Sequence, residues 1–234
     1  MPALILRTLG LIGGMSAEST SVYYQTLNRL VRARLGGLHS AKLVLWSVDF
    51  APIAALQAQG DWDATGAALA EVARRLEGAG AEAILICANT MHLNAPQVEA
   101  AISVPLIHIA DATAAALQAL GVTRALLLAT RFTMEKPFYR ERLEAAGLAV
   151  QTPDAAERDR LHAIIYDELV VGVINPRSRD AVLAMIAQGR AAGCDGIIFG
   201  CTEIGLLLDP ADMPLPTVDT AIAHCQAAVD FALG

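Results

Sequence analysis

The sequence lacks the features that suit a protein to a membrane or to a nucleic acid. None of its apolar runs reaches the roughly 20 residues that a membrane-spanning helix needs. Its 24 acidic residues outnumber its 17 basic ones, which gives a formal net charge of −7, and no basic surface for nucleic acid is indicated. The segment 1–7 also lacks the charged head and cleavage site of a signal peptide. We therefore expect a cytoplasmic protein that binds neither a membrane nor a nucleic acid.

Signatures of cofactors and metals are missing as well. The turn Gly13-Gly14 lacks the third glycine of the GxGxxG dinucleotide fingerprint, and no lysine motif for pyridoxal phosphate (PLP) is present. The cysteines form no CxxC pair and have no zinc-ligand spacing, so we expect free thiols at Cys87, Cys194, Cys201 and Cys225. The sequence thus predicts no cofactor and no metal.

What the sequence does contain is an alternation of apolar strands with alanine-rich helical patterns, which predicts a parallel α/β architecture. With 234 residues, 55% of them hydrophobic, the chain can bury a full core. Predicted strands lie near 4–12, 42–48, 83–88, 105–109, 124–129, 148–151, 195–200 and 215–218. Predicted helices lie near 16–35, 61–79, 92–101, 111–120, 135–146, 156–171, 177–192 and 220–233.

An internal repeat divides this pattern into two related halves. The first and fifth strands end in the polar loops at Gly13 and Thr130, and Pro105–Asp111 is echoed by Pro214–Asp219 at a similar offset. Duplication of one α/β unit accounts for these similarities. We therefore predict two pseudo-symmetric parallel-sheet half-domains, residues 1–115 plus 216–234 and residues 116–215, with the active site between them.

Two cysteines stand in similar settings about half a chain apart. Cys87 and Cys201 each follow an apolar run that reads as a buried strand, and ligands of α/β sheets bind at the carboxyl ends of strands. With an unperturbed pKa of about 8.5, a thiolate can remove a proton from one face of a carbon while a thiol returns one to the other face. We expect these two thiols to be catalytic, and Cys194 and Cys225 to be core residues.

Polar residues around the two thiols supply candidate binding groups. Asn89, Thr90 and Thr202 are candidates to stabilise developing negative charge. Glu203 either accepts a proton, holds a substrate ammonium, or is a solvated carboxylate at a helix start. The turn ending at Ser16 either binds a carboxylate or is a plain capped turn, and the matching loop 130–133 offers two hydroxyls and a cation.

Two histidines near the first thiol allow more than one interpretation. His92 follows Cys87 closely, where it either orients a substrate, tunes the thiol, or is hydrogen-bonded structure. His108 lies in an apolar strand pattern and is expected to be a core histidine.

Three motifs, Leu9–Ser16, Cys87–His92 and Gly200–Glu203, together resemble the aspartate/glutamate racemase family. The resemblance runs the whole chain and is closest to the bacterial broad-specificity amino acid racemases of that family. It implies a PLP-independent, two-base racemase that takes a small-molecule amino acid as substrate. Family members commonly dimerise, so a homodimer is a possible assembly.

The resemblance also implies roles for individual residues. Cys87 and Cys201 match the catalytic pair of the family. Positions that line the substrate pocket are matched by Met15, Ser16, Asn89, Thr90, Thr130, Thr133 and Thr202. Arg160 falls near a lysine that binds the side-chain carboxylate in aspartate racemases, and the planar fork of arginine grips differently. The choice among aspartate, glutamate and neutral substrates therefore stays open.

Two further interpretations compete with an amino acid racemase. The same fold could carry a related reaction, such as that of a hydantoin racemase, a decarboxylase or a maleate isomerase. A non-catalytic sensor that binds amino acids is the other. The presence of both thiols counts against one-thiol decarboxylase chemistry and against a sensor, because binding alone needs neither thiol.

Overall fold

The computed structural model describes residues 6–234, so residues 4 and 5 of the first predicted strand lie outside the described residues. Within that range the strands β1 to β7 are Leu9–Gly13, Leu43–Ser47, Ala83–Ile86, Arg124–Leu128, Ala149–Gln151, Gly196–Phe199 and Thr217–Asp219. The α-helices α1 to α11 are Ala17–Leu35, Phe50–Gln59, Trp62–Gly78, Ala95–Glu99, Ile109–Ala119, Arg131–Glu135, Pro137–Ala145, Ala155–Ala163, Pro176–Ala191, Ile204–Leu207 and Thr220–Leu233. None of these helices combines the length and apolar character needed to cross a membrane.

The chain divides into two compact units. Unit 1 contains the described residues up to Ile109 and the segment His224–Gly234, and unit 2 contains Ala110–Ala223. Every strand pairing is parallel, in the order β2-β1-β3 in unit 1 and β5-β4-β6-β7 in unit 2. The predicted parallel α/β architecture is confirmed.

The two units share one strand order once a single further pairing is included. In unit 1, Ile84 of β3 forms an isolated parallel bridge with Leu106, at the place where β7 pairs with β6 in unit 2. Both units therefore follow the same sequence of pairings. This common order is what duplication of one α/β unit produces.

The turn after β1 is shaped by glycine. Gly14 has φ of +90°, and a Cβ there would collide with the carbonyl oxygen of Val48 in the chain after β2. Only glycine combines this backbone conformation with so close an approach. The turn leads directly to Ser16, whose side chain accepts a hydrogen bond from the Ser19 N–H and caps α1.

Several predicted elements differ from the observed ones. The segment predicted as a strand at 105–109 forms only the bridge at Leu106, because α5 already begins at Ile109. The predicted helix 92–101 is a 3₁₀ turn, Thr90–Asn94, followed by the short α4. The predicted helix 135–146 is interrupted at Lys136, since Pro137 disfavours a helical residue before it and begins α7 as a new helix.

The predicted helix 156–171 changes its winding along its length. It begins as α8, passes into a π-helical turn at Ile164–Glu168, and ends in a 3₁₀ turn at Leu169–Val171. The helix α2 was not predicted, although Asp49 caps its start and Gly60 ends it in a left-handed conformation.

Candidate active site

Each of the two thiols predicted to be catalytic lies at the carboxyl end of a strand. Cys87 follows β3 directly, and Cys201 follows β6 after Gly200. Both side chains are buried, Cys87 completely and Cys201 with 9% of its surface exposed. The predicted placement of each thiol within its own unit is therefore observed.

The backbone distinguishes the two thiols by one position. The N–H of Cys87 donates to the Ile12 carbonyl at 2.9 Å and extends the β1–β3 ladder. In unit 2 the corresponding bond, 2.7 Å long, comes from Gly200 to Leu128, so Cys201 lies one residue beyond it. The two cysteines are related by the repeat only approximately, and their surroundings differ accordingly.

A carboxylate accompanies Cys201. The thiol of Cys201 donates to Oε2 of Glu203 at 3.0 Å, and the hydroxyl of Thr202 donates to the same oxygen at 2.9 Å. Glu203 is buried, with 4% of its surface exposed, so the solvated carboxylate expected as one alternative is not what the structure contains. This bond makes Glu203 an acceptor for the proton of Cys201.

A second carboxylate and a phenol lie near this group. Asp219 caps α11 through the N–H groups of Ala221 and Ile222, and burial together with the charge of Glu203 raises the pKa of Asp219. Burial, aided by the negative charge of Glu203, raises the pKa of Tyr166 to about 12. Neither residue was predicted from the sequence: Asp219 appeared only as part of the repeat, and Tyr166 depends on the π-helical turn.

Both thiols are held in the protonated form by their surroundings. Burial raises the pKa of Cys87 above its ordinary value. Burial, the charge of Glu203 and the hydrogen bond to Glu203 raise the pKa of Cys201. Within the described residues Cys87 has no side-chain hydrogen-bond partner, so the two thiols differ in how a proton can leave them.

The predicted binding residues of unit 1 lie in two loops beside β1 and β3. Met15 and Ser16 are buried in the turn before α1, and Thr20 of α1 accepts a hydrogen bond from the Gly14 N–H at 2.7 Å. Asn89 and Thr90 are buried in the chain that follows Cys87. Both loops lie at the carboxyl ends of strands, where α/β sheets bind their ligands.

The predicted binding residues of unit 2 begin two short helices. Thr130 follows β4 and caps α6 by accepting from the Thr133 N–H, and the two threonine hydroxyls lie 3.3 Å apart. Arg131 is committed to an ion pair with Asp159 at 3.2 Å. Thr202 is half-buried beside Cys201.

Arg160, predicted to bind a side-chain carboxylate, lies on α8 and is exposed. Its neighbour on the same helix, His162, accepts from the Arg131 N–H at 3.4 Å, and its ring centroid lies 4.6 Å from that of Tyr166. His162 thus connects the loop after β4 to the π-helical turn, a role that the sequence analysis missed.

Three histidines of unit 1 form a buried cluster. His92, His108 and His224 expose 1%, 5% and none of their surfaces, respectively. The ring centroid of His92 lies 4.6 Å from that of His108 and 5.7 Å from that of His224. His108 is a core residue, as predicted, whereas His224 was hidden in a helical pattern and was not singled out.

The remaining cysteines, Cys194 and Cys225, are buried in the core as predicted, and all four cysteines are free. Among residues 6–234, no group of three or more histidine, cysteine, aspartate or glutamate side chains is arranged to hold a metal ion.

Comparisons with known proteins agree with the resemblance of the motifs. The profile of the family described as Asp/Glu/Hydantoin racemase matches residues 12–228. The crystal structure of a candidate Asp/Glu racemase from Yersinia pestis is 51% identical with a TM-score of 0.91, and the match covers 98% of this chain and 100% of that one. An aspartate racemase homologue from Pyrococcus horikoshii OT3 is 32% identical with a TM-score of 0.85, covering 97% and 99% of the two chains.

A curated relative extends the comparison to a protein with a named activity. The broad specificity amino-acid racemase RacX of Bacillus subtilis is 21% identical over 229 residues, which cover 96% of this chain and 98% of RacX. The family profile spans both units, including both cysteine motifs. The chain therefore belongs to the Asp/Glu/hydantoin racemase family.

Proposed function

We propose that this protein is a PLP-independent amino acid racemase that uses Cys87 and Cys201 as its two bases. The observation that carries the proposal is the repeated placement of a buried thiol at the carboxyl end of a strand in each unit. Membership of the racemase family and the name of the RacX relative support amino acids as the substrate class.

The proposed reaction exchanges one proton at the α-carbon. A thiolate on one side takes the proton, so that a C–H bond breaks and an S–H bond forms. The thiol on the other side then donates its proton to the carbanion, which inverts the configuration. No redox step is involved, so two thiols and suitable hydrogen-bond donors suffice without a cofactor.

Glu203 is proposed to prepare Cys201 for this role. Because the free protein holds both thiols protonated, a thiolate forms only if a nearby group accepts a proton. The Glu203 carboxylate, 3.0 Å from the Cys201 sulfur, is placed to do so. Transfer of the proton to Glu203 leaves a Cys201 thiolate and a Cys87 thiol, the pair that one enantiomer requires. Each turnover reverses the protonation of the two thiols.

The developing negative charge needs hydrogen-bond donors. Asn89, Thr90, Thr130, Thr133 and Thr202 are proposed to supply them, together with the turn at Met15 and Ser16. Donors that are already fixed by the fold need little reorganisation during the reaction, which makes them effective. Both thiols must reach the same α-carbon for this mechanism to operate.

The substrate range is proposed to include acidic amino acids. The exposed Arg160 guanidinium is available to a substrate side-chain carboxylate, and charge-assisted pairs of this kind are stronger than neutral hydrogen bonds. The half-domain boundaries expected at 115/116 and 215/216 differ from those of the two compact units, which change over after Ile109 and after Ala223. A homodimer and a cytoplasmic location are also part of the proposal, and light scattering tests the dimer.

A racemisation screen tests the function. The purified protein is incubated separately with each standard L-amino acid, and the enantiomers are separated by chiral chromatography. We expect racemisation of acidic amino acids or of a broader set, with no added cofactor, no visible PLP absorbance and no inhibition by a chelator. Failure to racemise any amino acid, or activity abolished by EDTA, contradicts the proposal.

A further inference from the structure

His92 is bonded to the backbone through both ring nitrogens. It lies in the 3₁₀ turn Thr90–Asn94 with 1% of its surface exposed. Its Nδ1 lies 2.8 Å from the carbonyl oxygen of Ala88, and its Nε2 lies 3.2 Å from the backbone nitrogen of Ile109. A buried imidazole with two backbone partners is fixed in position and orientation.

The two partners also determine where the proton of His92 lies. The Ile109 N–H is always a donor, so Nε2 must accept and carries no proton. Nδ1 therefore carries the proton and donates it to the Ala88 carbonyl. His92 is a neutral Nδ1–H tautomer, and neither nitrogen is available to take a proton from a substrate.

The Nε2 atom of His92 is bonded to a segment that is itself held by hydrogen bonds. Ile109 is the first residue of α5, and the preceding Ile107 donates its N–H to the Ile84 carbonyl of β3 at 2.9 Å. The Ile107 carbonyl accepts from Nε2 of His224 at 2.6 Å, and Nδ1 of His224 accepts from the Tyr23 hydroxyl at 2.8 Å. The segment that holds His92 is thus itself held on both sides.

The Nδ1 atom of His92 fixes the backbone next to Cys87. The N–H of Cys87 is fixed by the Ile12 carbonyl, and the carbonyl of the following residue, Ala88, is fixed by His92. The thiol of Cys201 is held by a side chain, Glu203, whereas Cys87 has no such partner in the described part of the chain. The position of Cys87 therefore depends on its backbone.

We propose that His92 is a positioning residue for Cys87, and that its Nδ1–H bond to the Ala88 carbonyl holds this thiol where it can exchange a proton with the substrate. The inference rests on the proposed racemase function and deepens it. It gives the histidine of the first cysteine motif the role of holding the backbone next to Cys87, and not that of contacting the substrate.

Two substitutions separate the two bonds of His92. In His92→Asn the side-chain amide stands near the place of Nδ1 and keeps a donor for Ala88, but it does not reach Ile109. In His92→Gln the amide oxygen stands near the place of Nε2 and accepts from Ile109, but the donor to Ala88 is lost. We expect His92→Gln to lower kcat about 10–100-fold with little change in KM, and His92→Asn to keep most of the activity.

Isotope exchange shows which thiol is affected. Racemisation has an equilibrium constant of one, so kcat/KM falls equally in both directions and does not identify the thiol. In deuterated water, however, His92→Gln should still let Cys201 remove a proton while Cys87 fails to complete the inversion. The enantiomer that Cys201 deprotonates should then gain deuterium without inverting. The other enantiomer should gain no deuterium. Cys87→Ser identifies that enantiomer independently.

Each outcome decides a defined point. Equal losses in His92→Asn and His92→Gln at matched thermal stability, or exchange of both enantiomers or of neither, overturn the positioning role. Wild-type protein that racemises nothing overturns the proposed function instead. The folded wild type provides a test without any variant, because nitrogen NMR of His92 should show the Nδ1–H tautomer. An Nε2–H tautomer contradicts the proposal.

Discussion

His224 should make the protein less stable as the pH falls from about 6.5 to about 4. Its ring is fully buried, its Nε2–H donates to the Ile107 carbonyl, and its Nδ1 accepts from the Tyr23 hydroxyl. Burial lowers the pKa of His224 from 6.5 to about 4. Between these values the unfolded chain binds a proton at this position and the folded protein does not, so acid favours unfolding.

The size of the effect follows from the gap between the two pKa values. About 2.5 pH units separate the folded from the unfolded state, and each unit is worth about 1.4 kcal/mol. His224 alone should therefore remove about 3 kcal/mol from the free energy of unfolding across this range. The loss should level off about one pH unit below the pKa of the folded state, where His224 is protonated in both states.

Urea unfolding followed by circular dichroism, repeated between about pH 4 and about pH 7, measures the effect. His224→Gln is the informative variant, because its amide can donate to Ile107 but does not titrate. At neutral pH this variant should lose about 1 kcal/mol with the Tyr23 hydrogen bond. Between neutral and acidic pH, the free energy of unfolding of this variant should fall by about 3 kcal/mol less than that of the wild type.

A substitution at an exposed histidine provides the control. His39 is exposed, so His39→Gln should change the free energy of unfolding little, and it controls for the replacement of a histidine by glutamine. Wild type and His224→Gln that lose the same stability between neutral and acidic pH would refute the reasoning, because His224 would then bind its proton equally in both states.

Four further substitutions test the roles assigned to individual residues. Glu203→Gln should lower kcat on the order of 100-fold, because the Cys201 thiol loses its proton acceptor; normal kcat in a chiral assay contradicts this role. Arg160→Leu should raise KM for acidic substrates, because a charge-assisted contact worth about 1.5–3 kcal/mol is lost, and should leave KM for neutral substrates nearly unchanged. Equal effects on both substrate classes would mean that Arg160 is a surface residue without a role in binding. Cys194→Ser and Cys225→Ser should keep near-normal racemisation, and a complete loss of activity in either folded variant would contradict a structural role.

The sequence predicted the parallel α/β units and the positions of the two thiols because those features depend on local patterns. Apolar runs flanked by glycine end at Cys87 and near Cys201, and the fold places both residues at strand ends. The third pairing of unit 1 was predicted to involve a full strand but is a single bridge, since α5 begins at Ile109.

Contacts between distant parts of the chain could not be predicted, because each depends on the completed fold. His224 meets Ile107 across a separation of 117 residues, and no pattern around either residue indicates the contact. The one-residue offset between Cys87 and Cys201 depends on the register of their ladders, which sequence similarity alone does not give. The π-helical turn that carries Tyr166 interrupts what is otherwise an ordinary helical pattern.

Proton exchange in deuterated water by the wild type and by Cys87→Ser and Cys201→Ser tests the two-thiol mechanism most directly. With the wild type, we expect product that carries deuterium at the α-carbon, and unreacted substrate that early in the reaction carries almost none. Both serine variants should fail to racemise, because serine has a far higher pKa and is a poor base. Near-normal racemisation by either variant would contradict the account and would require a one-base or different chemistry.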